Sequence, residues 1–193
     1  MMFAVSRNAQ VLRYLLDADA RVGRTKLAKY AYLADLEAWK YLGRPISEFR
    51  YIFDRHGPFD ATAFFAATEE LQQAGLATES QVAIGSYVEH KLEPTSRALE
   101  YDFSVAEARV LDYVVKTYLS TNARELCEEI VYKTEPMLKA KPGMLLAMSQ
   151  MNRKPGDRLG FSLDRMLAGE DSAEAGRVHP LRSVADELRT RAH

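Results

Sequence analysis

The sequence predicts a mainly α-helical protein with a small β-hairpin, which places it in the α+β class. Three observations predict this: helical hydrophobic spacing in the first half, a strand-turn-strand pattern over residues 76–93, and helix start signals in the second half. Three helices followed by a two-stranded hairpin is the order of a winged-helix domain. Many other small α+β domains share that order, so winged-helix topology is one of several that the pattern allows.

The first helix is predicted over residues 8–21, and Gly23 ends it. Its apolar residues recur at helical spacing. A second helix is predicted over residues 25–42, with Thr25 as its N-terminal cap. This second helix is apolar around most of its circumference, which is typical of a helix at the centre of a domain.

The polar residues of the second helix form a narrow stripe. Its members are Lys26, Lys29, Glu37, Lys40 and Arg44. We expect Lys29 to be solvated on this stripe, and the alternative is that it binds a carboxylate of a partner.

A short strand, a turn, a third helix and a hairpin follow. Residues 48–54 are rich in aromatic and β-branched types, which favours a strand, and His56-Gly57-Pro58 turns the chain. The third helix is predicted over residues 59–74. Residues 76–84 and 87–93 form the predicted hairpin, with Gly85 and Ser86 between them.

The second half begins with the clearest local signal in the chain. Ser104 and Glu107 have the spacing of a capping box, which predicts a helix to about residue 119. Asn122 repeats the signal and predicts a helix to about residue 133.

The chain beyond this helix is less regular. Pro136 and Pro142-Gly143 bracket a stretch expected to be irregular, and the Met- and Leu-rich residues 143–151 predict a short packing helix. We therefore expect a helical domain over residues 1–151 and a polar C-terminal tail over residues 152–193. The tail carries two short amphipathic segments, which cannot bury much surface alone and suit either an unstructured tail or docking on another surface.

Composition excludes several classes of protein. With 193 residues, 47% hydrophobic and 27% charged, the chain is an ordinary globular domain. A formal net charge of -1 excludes a generally basic, nucleic-acid-binding surface. One cysteine, Cys127, excludes an internal disulfide and a cysteine-based metal site. No apolar run approaches a membrane span, so we expect a cytoplasmic location and no membrane contact.

Residues 24–75 resemble the signature region of the Panacea (SocA-like) antitoxin family. One motif is a Leu-x-Lys-x-x-Tyr pattern on the central helix, a second is a Gly-Pro pair before the third helix, and an echo follows near residue 132. The matching residues are Leu27, Lys29, Tyr32, Gly57, Pro58, Tyr132 and Pro136. Ala28 and Ala31 stand where bulkier residues are common in the family. The resemblance does not extend into the tail.

The resemblance implies an antitoxin, of a kind often encoded on phages and mobile elements. Members of the family neutralise a partner toxin by direct contact, and the SocA type delivers its toxin to a protease. It therefore implies a protein partner, the toxin of an adjacent gene. A homodimer is compatible with it. We interpret the motif residues as mostly structural.

No catalytic, metal-binding or cofactor-binding residue is predicted, and the chain is not expected to be an enzyme. The carboxylates of Glu128 and Glu129 should raise the pKa of the Cys127 thiol, which disfavours a reactive thiolate. No pair of histidines has the helical spacing of metal ligands, and glycine-rich phosphate loops are absent.

The candidate partner-binding residues are basic. They are Lys26, Lys29, Arg50, Arg55 and His56. His56-Gly57-Pro58 has two interpretations: a loop that presents His56 to a partner, or a structural turn in which Gly57 supplies an unusual backbone angle and Pro58 starts a helix.

Two alternatives to an antitoxin stay open. One is a winged-helix transcriptional regulator, although the predicted third helix has no Lys or Arg to read DNA. The other is a phage-associated interaction module without a toxin. Nucleic acid is the less favoured partner.

Overall fold

The computed structural model describes residues 5–151, and the predicted tail over residues 152–193 lies outside the described residues. The helices are α1 (Arg7–Ala18), α2 (Arg24–Tyr41), α3 (Ala61–Gln73), α4 (Val105–Tyr118), α5 (Ala123–Glu125) and α6 (Glu135–Lys139). The strands are β1 (Val22–Gly23), β2 (Ile52–Asp54), β3 (Gly57–Phe59), β4 (Ala77–Ile84) and β5 (Tyr87–Pro94). A π-helical turn covers Leu126–Ile130, and 3₁₀ turns cover Val131–Lys133 and Met148–Gln150. The predicted α+β class is confirmed.

The strands form two small antiparallel sheets. The larger has the order β1-β5-β4, with Val22 opposite Leu92 and Ile84 opposite Tyr87. The smaller pairs β2 with β3. If the β2–β3 pair is set aside, the elements follow the order helix, strand, helix, helix and hairpin, and the first strand pairs with the last. This is the arrangement of a winged-helix domain. The β2–β3 hairpin is inserted between its second and third helices. We call the hairpin β4–β5 the wing.

Helix α2 occupies the centre of the domain. All of its residues from Leu27 to Ala38 are buried, as its apolar circumference predicted. Helix α1 packs against α2, α3 and α4, and α2 also packs against α4. No helix within residues 5–151 is both long and apolar enough to cross a membrane.

Helix ends follow local side-chain chemistry, with two corrections to the predicted helix starts. The Ser104–Glu107 capping box opens α4 as predicted, with both reciprocal hydrogen bonds present. Thr25 is not the cap of α2: Gly23 is, because β1 passes directly into the helix. The third helix does not begin at Phe59, because this residue belongs to strand β3. The helix begins after its cap, Asp60.

The second half differs from its prediction in three places. The helix predicted over residues 122–133 is broken into α5, a π-helical turn and a 3₁₀ turn. The stretch after Pro136 is only partly irregular. Pro136 stands in the first turn of α6, where a missing N–H costs nothing, and the chain is irregular only after Lys139. Residues 143–151 do not form a packing helix. Their first part runs beside β2, with Phe53 N donating to the Met144 carbonyl at 2.8 Å.

A buried carboxylate ties α2 to the loop that follows it. Asp35 is 1% exposed. It accepts hydrogen bonds from the backbone N–H groups of Ile46 and Ser47, both at 2.8 Å, and from the hydroxyls of Ser47 and of Tyr51, the latter at 2.7 Å. Burial raises the pKa of this carboxyl, and the four hydrogen bonds act against that rise. The loop over residues 46–51 therefore depends on Asp35.

We predict that Asp35→Ala destabilises the protein by about 3 kcal/mol, because it leaves two backbone N–H groups and the Tyr51 hydroxyl buried without an acceptor. Urea unfolding followed by circular dichroism measures the change. The exposed Asp102 is the control, since its side chain makes no hydrogen bond within residues 5–151 and its change to Ala should shift stability by roughly 0.5 kcal/mol or less. Equal losses for the two variants would contradict the role given to Asp35.

Candidate functional site: a groove beside the wing

The candidate site rests on a group of side chains that we call the floor: Cys127 and Tyr132, which line it, and the buried amine of Lys29 behind Gly57. Lys29 is 2% exposed, and its Nζ donates to the Pro58 carbonyl at 3.0 Å. The expectation that Lys29 is solvated is therefore wrong, because the β2–β3 hairpin covers the stripe of α2 on which it lies. As a buried group it cannot contact a partner from this position. Glu37, another member of the stripe, is also buried.

Burial changes the protonation of Lys29. Loss of hydration lowers its pKa to about 8, and the nearby Cys127 and Asp54 partly oppose this effect. The Phe59 ring, 6.0 Å from Nζ, adds a weak cation–π contact. Near neutral pH the floor therefore holds a positive charge whose solvation is supplied largely by one backbone carbonyl.

Gly57 permits this close packing. Its φ is +92°, in the region that L side chains rarely adopt. A Cβ at this position would lie 3.3 Å from both the Lys29 Nζ and the Cys127 Sγ. The structural interpretation therefore accounts for Gly57. Pro58 does not start a helix, because it lies buried in β3, and Arg55 and His56 are exposed.

The backbone of the exposed turn is held from below by two side chains of the second half. Cys127 Sγ donates to the His56 carbonyl, and Tyr132 Oη donates to the Arg55 carbonyl, both at 3.3 Å. Burial raises the pKa of the Cys127 thiol, outweighing the opposite effect of Lys29, so the thiol is protonated and unsuited to nucleophilic attack.

The other motif residues connect the same parts of the fold. Leu27 is fully buried, and the Tyr32 hydroxyl is hydrogen-bonded to Thr134 Oγ1 at 2.7 Å. Pro136 is buried in the first turn of α6. The motif residues thus join α2, the β2–β3 hairpin and the segment over residues 131–136.

Above this floor lies an open groove with a volume of about 610 Å³. We call it the wing groove. Its lining comes from the start of α2 (23–26), the turn (55–56), the wing (87–90) and residues 123, 124, 127, 128 and 132. The structure therefore brings together three of the predicted partner-binding residues, Lys26, Arg55 and His56. Arg50 is exposed but does not line this groove.

The wing contributes residues that the sequence analysis did not select. Tyr87 is 59% exposed and Val88 is 51% exposed. Both follow the Gly85-Ser86 turn, where two consecutive large apolar residues break the alternation expected of a half-buried strand. This break in the alternation is the sequence signal that could have identified Tyr87 and Val88 as candidate contact residues.

Most cations of the wing groove are already paired. Arg24 forms an ion pair with Glu79 at 2.7 Å, and Arg124 with Glu128 at 3.0 Å. Lys26 lies 3.3 Å from Asp19 and donates to the Leu119 carbonyl at 2.8 Å. The Arg55 side chain has no ion-pair partner among residues 5–151. Arg55 and the exposed His56 are thus the basic groups best placed to meet an incoming ligand.

Two observations describe the chemistry available at the groove. Within residues 5–151 no three His, Cys, Asp or Glu side chains are grouped so as to hold a metal ion. The buried, protonated thiol is the one sulfur nucleophile in the sequence. The arrangement suits recognition by charge and aromatic contact.

Helix α3 occupies the position of a recognition helix in a winged-helix domain, but its chemistry does not suit DNA. Its exposed residues are Ala61, Thr62, Phe65, Ala66, Glu69, Gln72 and Gln73. With no Lys or Arg and with Glu69 on this face, the helix would repel phosphates. The structure thus adds no support to the regulator alternative.

Comparison with known proteins gives one match. The family model described as "Antitoxin SocA-like, Panacea domain" matches residues 27–136, which is more than half of the chain. No curated protein and no solved structure matches the chain. The matched range contains the whole connection between α2, the β2–β3 hairpin and residues 131–136.

We predict that Gly57→Ala destabilises the protein more than Gly143→Ala. Both glycines have positive φ, so both variants carry backbone strain of roughly 1–2 kcal/mol. Only at Gly57 would the new Cβ also press on Lys29 and Cys127, since nothing lies within 4 Å at Gly143. Thermal unfolding of the two variants measures the difference, and equal shifts in Tm would show that the floor is not tightly packed.

A second prediction concerns the pH dependence of stability that Lys29 confers. Between pH 8 and its ordinary pKa of about 10.4, the unfolded chain holds the Lys29 proton and the folded chain does not, so stability from this group rises with pH. The stability of wild type relative to Lys29→Met should therefore increase by roughly 3 kcal/mol across this window.

Urea unfolding at several pH values between 7 and 10.5 measures this difference, and the subtraction removes the titration of other groups. Lys116→Met, at an exposed position of α4, is the control for removing a solvated amine. A difference between wild type and Lys29→Met that stays constant with pH would contradict the buried charge.

Proposed function

The chain belongs to the SocA-like antitoxin family with a Panacea domain, and from this membership we propose that it neutralises a cognate toxin by binding it directly. The toxin is proposed to be the product of an adjacent gene. Its inhibition then comes from surface contact, with no turnover of a small molecule.

The single observation that supports a location for this contact is the convergence at the wing groove. Arg55 and His56 face it from the turn, and Tyr87 and Val88 face it from the wing. Arginine and aromatic residues are enriched at the energetically dominant positions of protein interfaces. A groove that combines them with an apolar rim suits a protein surface carrying an acidic and an aromatic or aliphatic side chain.

Two modes of neutralisation follow from the family. The antitoxin masks the toxin in a stable complex, or it delivers the toxin to a protease as the SocA type does. We favour masking as the simpler mode, because it needs only the one surface. Co-expression separates the two, since masking leaves the toxin's amount unchanged and delivery reduces it in a protease-dependent manner.

We predict that Arg55→Glu weakens binding of the adjacent-gene toxin by about tenfold or more, as expected for loss and reversal of a central charge. Tyr87→Ala should act in the same direction. The Kd is measured by titration calorimetry with the co-expressed toxin, and rescue of growth during toxin expression is the cellular readout.

Arg50→Glu is the matched control, because it makes the same charge reversal at an exposed arginine outside the groove. It should leave the Kd within about twofold of wild type. A larger loss from Arg50→Glu than from Arg55→Glu would place the contact elsewhere. Absence of any toxin binding by the wild-type protein would overturn the proposed function itself.

A further inference from the structure

A second groove lies where the described part of the chain ends. It is formed by α6 and the residues after it, with a volume of about 160 Å³. Its apolar lining consists of Pro136, Ala140, Met144, Leu145, Ala147 and Met151. We call it the exit groove.

Large apolar side chains are exposed in the lining of the exit groove and on the elements that form it. Met144 and Leu145 are each 51% exposed, and Ile52, which forms a backbone bridge with Leu145, is 43% exposed. Leu138 on α6, the helix that forms the other wall, is 70% exposed. Single exposed apolar residues are ordinary, but two in the lining of one groove, with Ile52 bridged to one of them, mark an interaction surface.

The backbone under this surface is fixed. Leu146 N donates to the Tyr51 carbonyl at 2.8 Å, and Gly143 N donates to the Phe53 carbonyl at 2.8 Å. Residues 143–146 thus continue the β2–β3 sheet, and the backbone of the half-exposed Met144 and Leu145 is held in place by it. A ligand for the exit groove would meet a preformed surface.

The nearest candidate for that ligand is the chain itself. It continues for 42 residues beyond Met151, which lines the groove. The first apolar residues after this point with regular spacing are Leu159, Leu163, Met166 and Leu167. They recur at i, i+4, i+7 and i+8, the spacing that places side chains on one face of a helix. Such a stripe is the usual partner of an apolar groove.

The distances along the chain favour this segment over the later one. Seven residues, 152–158, separate Met151 from Leu159, and they span up to roughly 25 Å when extended. The second apolar segment begins at Leu181, behind a connection of 29 residues. A shorter connection that still spans the distance gives a higher effective concentration at the groove.

We propose that residues 159–167 pack their apolar stripe into the exit groove of the same molecule. This contact covers Met144 and Leu145 and gives the C-terminal segment a docking place on the face formed by α6 and residues 143–151. It is independent of the toxin and of the wing groove.

The test uses the full chain in NMR with a nitroxide label. Cys127→Ser removes the native thiol, and Ser162→Cys provides a single labelling position beside Leu163. We expect signals of Met144, Leu145 and Ala147 to lose most of their intensity, with recovery after reduction of the label. Signals of Gly85 and Ser86 at the tip of the wing serve as the internal reference and should keep theirs.

Leu163→Asp in the labelled chain should restore the signals of the exit groove, because a carboxylate cannot enter an apolar groove without a large loss of hydration. Val184→Asp is the matched control in the second segment and should restore nothing. Unchanged broadening in the Leu163→Asp chain, or its loss in the Val184→Asp chain, would overturn the proposal.

Mixing experiments distinguish other occupants. Isotope-labelled chain without nitroxide is mixed with nitroxide-labelled chain at natural isotope abundance. No broadening in the mixture supports docking within one molecule. Broadening of the exit groove in the mixture as strong as within one chain would show that a second copy fills it, and absence of broadening in both samples would leave the surface to a different protein. Either result contradicts the proposal.

Discussion

The structure depends on the burial of charge along its central helix. Every residue of α2 from Leu27 to Ala38 is buried, and three of them, Lys29, Asp35 and Glu37, are basic or acidic residues. A buried charge is tolerated when other groups replace its lost hydration. The Pro58 carbonyl replaces hydration of the Lys29 amine, and hydrogen bonds from the loop after α2 replace hydration of the Asp35 carboxyl. The helix therefore dictates the positions of segments that have little regular structure of their own.

These two requirements explain how the β2–β3 hairpin is placed. Asp35 holds the chain that enters the hairpin through Ile46, Ser47 and Tyr51. Lys29 holds the second strand of the hairpin through the Pro58 carbonyl. A strand pair this short is only marginally stable alone. Its attachment at both ends to one buried helix makes it a fixed wall of the wing groove.

The sequence was sufficient for features that depend on local chemistry. The circumference of α2, the capping box of α4 and the hairpin around Gly85 were all predictable, because each is encoded within one stretch of chain. Features set by distant pairing were not. Lys29 looked solvated because its cover, Pro58, is 29 residues away. Strand β1 is defined by its pairing with β5, and residues 143–146 by their bonds to β2.

The residues of the candidate site likewise divide into those that the sequence could predict and those that only the fold reveals. Arg55 and His56 could be selected from a turn motif. That they line one groove with Tyr87 and Val88 could not be predicted, because the fold brings these distant segments together. The floor explains why the turn has a fixed position in the groove. Cys127 and Tyr132 bind the carbonyls of His56 and Arg55, so the backbone of the turn is held while both side chains remain exposed. In the proposed function, binding a partner then requires ordering of these side chains but not of the backbone of the turn, which is already in place. A scaffold of this kind can present different side chains at the turn without changing the buried residues that hold it.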